Sequence, residues 1–139
     1  MGVIRVLPAA QIEALLRTAL VGRIACASPK VDSGRPFLVP LAYGYDGDAI
    51  YAHSGPGRKI RTMRHNPLAS FEVDTAEAAD RWSSVICEVA YEELTDPAAR
   101  AAGLRVVYPE PRAIPELPEE TVVYRLAITQ RSGRYELPE

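Results

Sequence analysis

The sequence predicts a single mainly β domain, in which six strands, mostly antiparallel, form a barrel or sandwich flanked by two or three helices. Several short segments alternate apolar and polar residues, and this period of two places successive side chains on opposite faces of a strand. Turn residues separate these segments, with the clearest hairpin signal at residues 46–48, Asp-Gly-Asp. The 139 residues are enough for one domain with its own core. Closure into a barrel would leave no open strand edge exposed to aggregation.

The part of the chain before the hairpin is expected to contain one helix and two strands. A helix is predicted over residues 8–20, where apolar side chains recur at helical spacing from Ile12 to Ala19. Strands follow at residues 23–28 and 36–45, with a loop between them. The second strand has one apolar face, made of Phe37, Val39, Leu41, Tyr43 and Tyr45. Pro40 interrupts this strand and, because proline cannot donate to a strand ladder, marks an edge or a bulge.

The rest of the chain alternates strands with short helices. A strand at residues 50–54 is expected to pair with the preceding one through the hairpin turn. Later strands are predicted at residues 68–74, 81–94 and 121–129, and helices at residues 57–65 and 98–107. Residues 75–80 are interpreted as a polar connector, residues 108–120 as a proline-rich loop and residues 130–139 as a C-terminal tail.

Composition limits the classes of function. The net charge of −2 argues against a protein whose main partner is nucleic acid, since such a surface is usually basic. No apolar run approaches the roughly 18 residues of a membrane span, and the N-terminus lacks the pattern of a signal peptide, so a cytoplasmic protein is expected. Cys26 and Cys87 each lie in an apolar run and are interpreted as buried hydrophobic side chains. No cluster with metal-ligand spacing is present, and no metal site is expected.

The clearest functional signal is the segment IYAHSGPGRKIRTMR at residues 50–64. A strand runs into a turn with two glycines, and a basic helix begins directly afterwards. The start of a helix has unpaired N–H groups and the positive end of the helix dipole, so it can bind an anion. Arg58 and Lys59 add two cations where the dipole disfavours them, which makes sense if a phosphate lies among them. The alternative is a solvated basic helix face, and local spacing does not decide between the two.

Three segments together resemble a known family. They are VGRIACAS, PFLVPLAYGYDGDAIYAHSGPGRKIRTMRHNPLASFEVD and RWSSVICEVAYEELTD. They resemble the FMN-binding split-barrel family related to pyridoxamine 5′-phosphate oxidase, and most closely its nitroimidazole-resistance (Nim-like) branch. The resemblance covers most of residues 10–130. It implies a six-stranded antiparallel split β-barrel that forms a homodimer, with FMN in the cleft between the subunits.

The resemblance also implies a set of cofactor-binding residues. Backbone atoms of one strand would contact the isoalloxazine edge, namely those of Val39, Pro40, Leu41 and Ala42. His53 and Ser54 would form a wall of the site, with Ser54 near the ribityl phosphate, and Arg58 and Lys59 would hold that phosphate. Trp82 would contact either the flavin or the partner subunit.

The resemblance also implies that His53 is the catalytic residue, and its imidazole could donate a proton or a hydrogen bond to a substrate being reduced. The alternative is that His53 only packs at a strand end.

The expected function is that of an FMN-dependent oxidoreductase acting on a small organic molecule such as a nitro compound or a quinone. In such enzymes the flavin carries the chemistry and the protein supplies orientation and electrostatics. Two alternatives stay open: a flavin-binding protein without turnover, and the same barrel using deazaflavin F420 or haem. The expected partners are a second copy of the chain and a small-molecule substrate, with neither nucleic acid nor membrane.

Overall fold

The computed structural model describes residues 2–139, which form an eight-stranded sheet and three α-helices. The strands are β1 (Val3–Val6), β2 (Val21–Cys26), β3 (Phe37–Ala42), β4 (Gly44–Tyr45), β5 (Ala49–Ser54), β6 (Leu68–Ala78), β7 (Arg81–Glu93) and β8 (Val122–Leu137). The helices are α1 (Ala9–Thr18), α2 (Arg58–His65) and α3 (Pro97–Val107), and a short 3-10 turn spans Asp32–Gly34. Within this part of the chain, no helix is both long and apolar enough to cross a bilayer.

The sheet is antiparallel throughout and curls on itself. Its strand order is β3-β2-β6-β7-β8-β5-β4, and β1 adds to β8 beside this path. The two strands at the ends of the path, β3 and β4, are separated along the chain by Tyr43 alone. The two ends of the sheet therefore lie close together without pairing, and the sheet curves into a half-barrel. This confirms the predicted fold class, a mainly β antiparallel split barrel with flanking helices.

The core fills the inside of this curl. The largest fully buried side chains include Tyr124, Phe71, Leu16, Ile24, Ile50, Ile60, Met63 and Leu126. Tyr43, which lies between β3 and β4, is buried, and its hydroxyl donates to the carbonyl oxygen of Leu16 at 2.6 Å. Its ring also meets that of Phe71 edge-on, with 4.9 Å between centroids. Helix α1 is thereby fixed against the point where the sheet folds over.

The predicted strand at residues 36–45 is in fact two strands with different partners. Residues 37–42 pair with β2, whereas only Gly44 and Tyr45 pair with β5 across the hairpin turn. The predicted hairpin is therefore real but short. Pro40 lies on β3, which is an end strand of the path, and this confirms the prediction of an edge. The alternation is also confirmed, since Phe37, Val39 and Leu41 pack against the core.

Two segments were predicted wrongly. Residues 130–137 are not a tail, because β8 continues to Leu137 between β7 and β1. Residues 75–78 belong to β6, so only residues 79–80 remain as a connector. Residues 75–78 are exposed, and in residues 130–137 only Gly133 is fully buried, so the apolar alternation is lost while backbone pairing persists. The count of six strands becomes eight because β1 and the two-residue β4 are added.

Candidate functional site

The N-terminus of α2 has free hydrogen-bond donors facing open space. Gly57 is its N-cap, no side chain caps it, and its first turn contains no acidic residue. The first helical backbone bond runs from the N–H of Arg61 to the carbonyl of Gly57 at 3.1 Å, so the N–H groups before it have no partner within the helix. A Cβ atom added to Gly55 or Gly57 would meet nothing within 4 Å. The turn therefore borders a space in which an anion can approach the helix end.

Arg58 links this helix end to the preceding loop. Its Nε atom lies 2.9 Å from Oδ2 of Asp32, although the contact lacks the angle of a hydrogen bond and Nε is buried. Its guanidinium group also lies over the ring of Phe37, 4.5 Å from the centroid. Asp32 and Ser33 have φ angles of 49° and 57°, a left-handed conformation that is costly for residues other than glycine. The ion pair with Arg58 helps to hold this turn, and Phe37 brings β3 beside α2.

Lys59 is the cation best placed to bind an added anion. It is half-buried, and burial lowers the pKa of its ammonium group. No carboxylate of residues 2–139 forms an ion pair with it. Burial raises the pKa of the nearby Cys26 thiol, and the cations of Arg58 and Lys59 oppose that rise. A partly desolvated ammonium without a counter-charge is costly, and a bound phosphate would offset that cost.

The β3 residues of the predicted flavin contact lie on an edge strand, with alternating orientation. Val39 and Leu41 pack against the core, whereas the side chains of Pro40 and Ala42 are exposed. One side of β3 pairs with β2, and β3 is an end of the strand path. Backbone groups along the other side can therefore contact a ligand.

His53 and Ser54 lie at the end of β5, opposite Val123 and Val122 of β8. The Nε2 atom of His53 is 2.8 Å from the hydroxyl oxygen of Tyr108, and the two rings stack with centroids 5.8 Å apart. Burial lowers the pKa of His53, which favours its neutral form. The hydroxyl of Ser54 donates to the carbonyl of Gly55 at 2.9 Å.

Trp82 lies away from these residues within one subunit. Its indole N–H donates to a carboxylate oxygen of Glu136 at 2.8 Å, and the two residues are paired across β7 and β8. On β8, Glu136 is 13 residues beyond Val123, the partner of His53. At 3.2–3.4 Å per strand residue, this corresponds to roughly 40 Å along β8. The fold thus brings together β3, the end of β5 and the start of α2, but not Trp82.

Sequence reasoning missed Tyr108 as a neighbour of His53. Tyr108 follows α3, at the start of the proline-rich loop that was left without a role. Arg105 donates from Nη1 to the carbonyl oxygens of Tyr108 at 3.2 Å and Arg112 at 2.9 Å, which fixes the start of the loop. The guanidinium group of Arg112 lies 5.1 Å from the centroid of the Tyr108 ring. The only sequence signal was an aromatic residue at the end of a predicted helix.

Comparison with known proteins places the chain in a family. A family model described as pyridoxamine 5′-phosphate oxidase matches residues 8–135. The chain belongs to the pyridoxamine 5′-phosphate oxidase family. This confirms the family resemblance seen in the sequence.

Similar proteins and structures are consistent with this assignment. A crystal structure of a FAD-binding protein from Mesorhizobium loti has 36% identity and a TM-score of 0.78, covering 97% of this chain and 99% of that one. A candidate 5-nitroimidazole antibiotic resistance protein from Bacteroides thetaiotaomicron has 19% identity and a TM-score of 0.78, covering 97% and 89%, and shares the fold. An uncharacterised protein from Rhizobium meliloti is 30% identical over 91 residues, which are 66% of this chain. The match spans 58% of that relative, somewhat more than half its length.

Proposed function

We propose that this protein binds a flavin nucleotide and that the start of α2 holds a phosphate of that cofactor. The observation that carries the proposal is the partly buried Lys59, which has no counter-charge and stands at an uncapped helix start open to space. Membership of the family supports a flavin, as does the similar Mesorhizobium loti protein, which is described as FAD-binding. FMN is the expected form because its terminal phosphate is dinegative and would offset the unpaired charge of Lys59 beside the positive end of the α2 dipole.

The residues around the helix end would share the work of binding. Backbone N–H groups of the first turn would donate to phosphate oxygens, and the helix dipole would add to the attraction. Lys59 would supply a full positive charge at short range. Arg58 is already engaged with Asp32, so it would contribute a long-range field and hold the loop in place. Exposed backbone of β3, from Val39 to Ala42, would lie along the edge of the flavin.

We further propose that the protein is an oxidoreductase acting on a small organic molecule such as a nitro compound or a quinone. A bound flavin supplies the electron-transfer chemistry. His53 is the proposed catalytic residue because it lies on the strand that leads to the phosphate-binding turn. Its neutral imidazole can hold an acceptor oxygen of the substrate by a hydrogen bond and can pass on a proton.

A homodimer is part of the proposal. The outward face of the sheet carries exposed apolar side chains, with 69% of Leu38, 68% of Leu68 and 50% of Ile86 accessible in a single chain. Such a patch is typical of an interaction surface. A second copy on this face would cover it, and Trp82 would contact the flavin only across the interface. A cytoplasmic location stays a prediction.

The test is to purify the protein, record its absorbance spectrum and identify any released cofactor by mass spectrometry. We expect an oxidised-flavin spectrum that is bleached by NADH or NADPH and restored by a nitroaromatic or a quinone. Flavin that binds but is not reoxidised by these compounds would support a binding protein without turnover. A colourless protein that takes up neither FMN nor FAD would contradict the proposal.

The same spectrum separates the two other cofactors. If the purified protein binds F420 but not FMN, the deazaflavin is its cofactor. A haem site needs an axial ligand, but Nε2 of His53 is engaged by Tyr108 and His65 lies exposed at the end of α2. A Soret band in the purified protein would nevertheless decide for haem.

A further inference from the structure

The contact between Tyr108 and His53 joins the proline-rich loop to the candidate catalytic residue. The hydroxyl oxygen of Tyr108 lies 2.8 Å from Nε2 of His53. The planes of the two rings are inclined by 29°, so the imidazole is held by stacking as well as by the hydrogen bond. The His53 ring therefore has a defined orientation before any ligand binds.

Tyr108 can impose this orientation because it is itself well anchored. Its backbone N–H donates to the carbonyl of Leu104 at 2.8 Å, which closes the last turn of α3. Arg105 reaches forward to two carbonyl oxygens of the loop, and Arg112 covers the Tyr108 ring. Helix α3 in turn packs closely on β5, since a Cβ added to Gly103 would lie 3.3 Å from Cδ2 of Tyr51.

The direction of this hydrogen bond is set by the tautomer of His53. In residues 2–139 the Tyr108 hydroxyl has no hydrogen-bond partner besides His53. A phenol hydroxyl that donates to a neutral imidazole nitrogen satisfies both groups, and burial favours the neutral form of His53 by lowering its pKa. The single imidazole proton then resides on Nδ1. Nδ1 of His53 has no hydrogen-bond partner in residues 2–139 and is not one of the buried atoms that lack a partner, so it keeps some contact with solvent.

We propose that Tyr108 is a positioning residue whose hydroxyl donates a hydrogen bond to Nε2 of His53. The imidazole proton then resides on Nδ1, and this N–H is presented as a hydrogen-bond donor toward the ligand. A donor at this position suits substrates that offer an acceptor oxygen, such as the oxygens of a nitro group or a quinone. This part of the inference rests on the proposed function. The orientation and tautomer of His53 do not depend on it, and they can be tested without any flavin.

The first experiment measures the tautomer of His53 by long-range proton–nitrogen NMR of the flavin-free protein labelled with nitrogen-15. The chain has two histidines, so the variant His65→Gln leaves a single histidine signal. We expect the Nδ1–H tautomer to predominate in that background. Adding Tyr108→Phe should lower the ratio of Nδ1–H to Nε2–H about 2- to 10-fold, as for the loss of one hydrogen bond. A predominant Nε2–H tautomer in the parent protein would overturn the proposal whether or not the Tyr108 variant folds.

The second experiment uses the flavin-loaded protein. Tyr108→Phe should lower kcat for nitro or quinone acceptors while leaving the Kd of the flavin unchanged, because the ring remains in place and only the hydroxyl is lost. An unchanged tautomer ratio together with an unchanged kcat would overturn the positioning role. If no flavin binds at all, the proposed function fails, and the NMR result alone decides whether Tyr108 orients His53.

Discussion

Replacing Lys59 with alanine should weaken FMN binding by about 1.5–3 kcal/mol, the range for hydrogen bonds to charged groups. This corresponds to a Kd about 10- to 150-fold higher. An exposed lysine would contribute only about 0.2–1 kcal/mol. The larger value is expected here because Lys59 is half-buried and no carboxylate of residues 2–139 pairs with it, so its charge is not already compensated.

The assay is a titration of flavin-free protein with FMN, in which binding is monitored by the quenching of flavin fluorescence. The titration is carried out at low and at moderate salt. Lys30→Ala is the matched control, because Lys30 is the other lysine of the chain and its side chain is exposed. The wild type and this control should bind FMN equally, and their affinity should fall with salt. The Lys59 variant should show both weaker binding and a smaller dependence on salt.

Stability provides an independent check of the same reasoning. In the flavin-free protein, removing a partly buried cation without a partner should leave the melting temperature unchanged or raise it. In the presence of saturating FMN, the order should reverse, because the wild type gains more from the ligand. If the Lys59 variant binds FMN within twofold of the wild type, or if the Lys30 control loses as much affinity, Lys59 does not bind the phosphate.

Three further predictions concern stability and assembly. Burial and a neighbouring aspartate raise the pKa of Glu72 to about 7, so its charge destabilises the fold as pH rises. Glu72→Gln should therefore raise the melting temperature at pH 8, and the gain should disappear below about pH 4.5. Gly22→Ala would place a Cβ 2.3 Å from Cζ of Phe71, and the overpacking should cost about 1–3 kcal/mol in urea unfolding. The protein should sediment as a dimer, and Leu38→Glu should yield a monomer that binds flavin poorly.

Each of these has a control and an outcome that contradicts it. A difference between Glu72→Gln and the wild type that stays constant from pH 4 to pH 8 would mean that burial does not disfavour the carboxylate. Gly55→Ala is the control for Gly22, since its Cβ would meet nothing within 4 Å. Leu20→Glu is the control for Leu38, because Leu20 is 80% exposed but lies between α1 and β2. A wild-type monomer that holds FMN tightly would refute the shared cleft.

The elements predicted well from the sequence are those in which burial imposes a pattern. Strand β7 buries Val85, Cys87 and Val89 in strict alternation, and α1 buries Ile12 and Leu16 at helical spacing. Strand β1 and the second half of β8 are largely exposed, so their pairing left little trace in the order of apolar and polar residues. The split at Tyr43 was also invisible, because both β3 and β4 continue the same alternation.

The sequence could group those parts of the candidate site that are neighbours in the chain. The helix-start argument joined the turn before α2 to the two cations, and the family resemblance added His53 a few residues earlier. Tyr108 is 55 residues from His53, and only the packing of α3 on β5 brings them into contact. Trp82 shows the converse, since the resemblance gave it a contact with the flavin or the partner subunit, whereas within one chain it lies beside Glu136 and far along the sheet from His53.

The short turn between β5 and α2 determines how the two halves of the proposed site are coupled. Six peptide links join His53 to Lys59, so these residues lie at most about 22 Å apart. Neither end can move freely, because β5 pairs with β4 and β8 while α2 buries Ile60 and Met63 in the core. A phosphate held at α2 would therefore fix the flavin relative to His53. Tyr108 contacts His53 from the end of α3 and not through α2. Loss of the Tyr108 hydroxyl should therefore change the imidazole without changing flavin affinity, whereas loss of the Lys59 side chain should lower flavin affinity without changing the His53 tautomer.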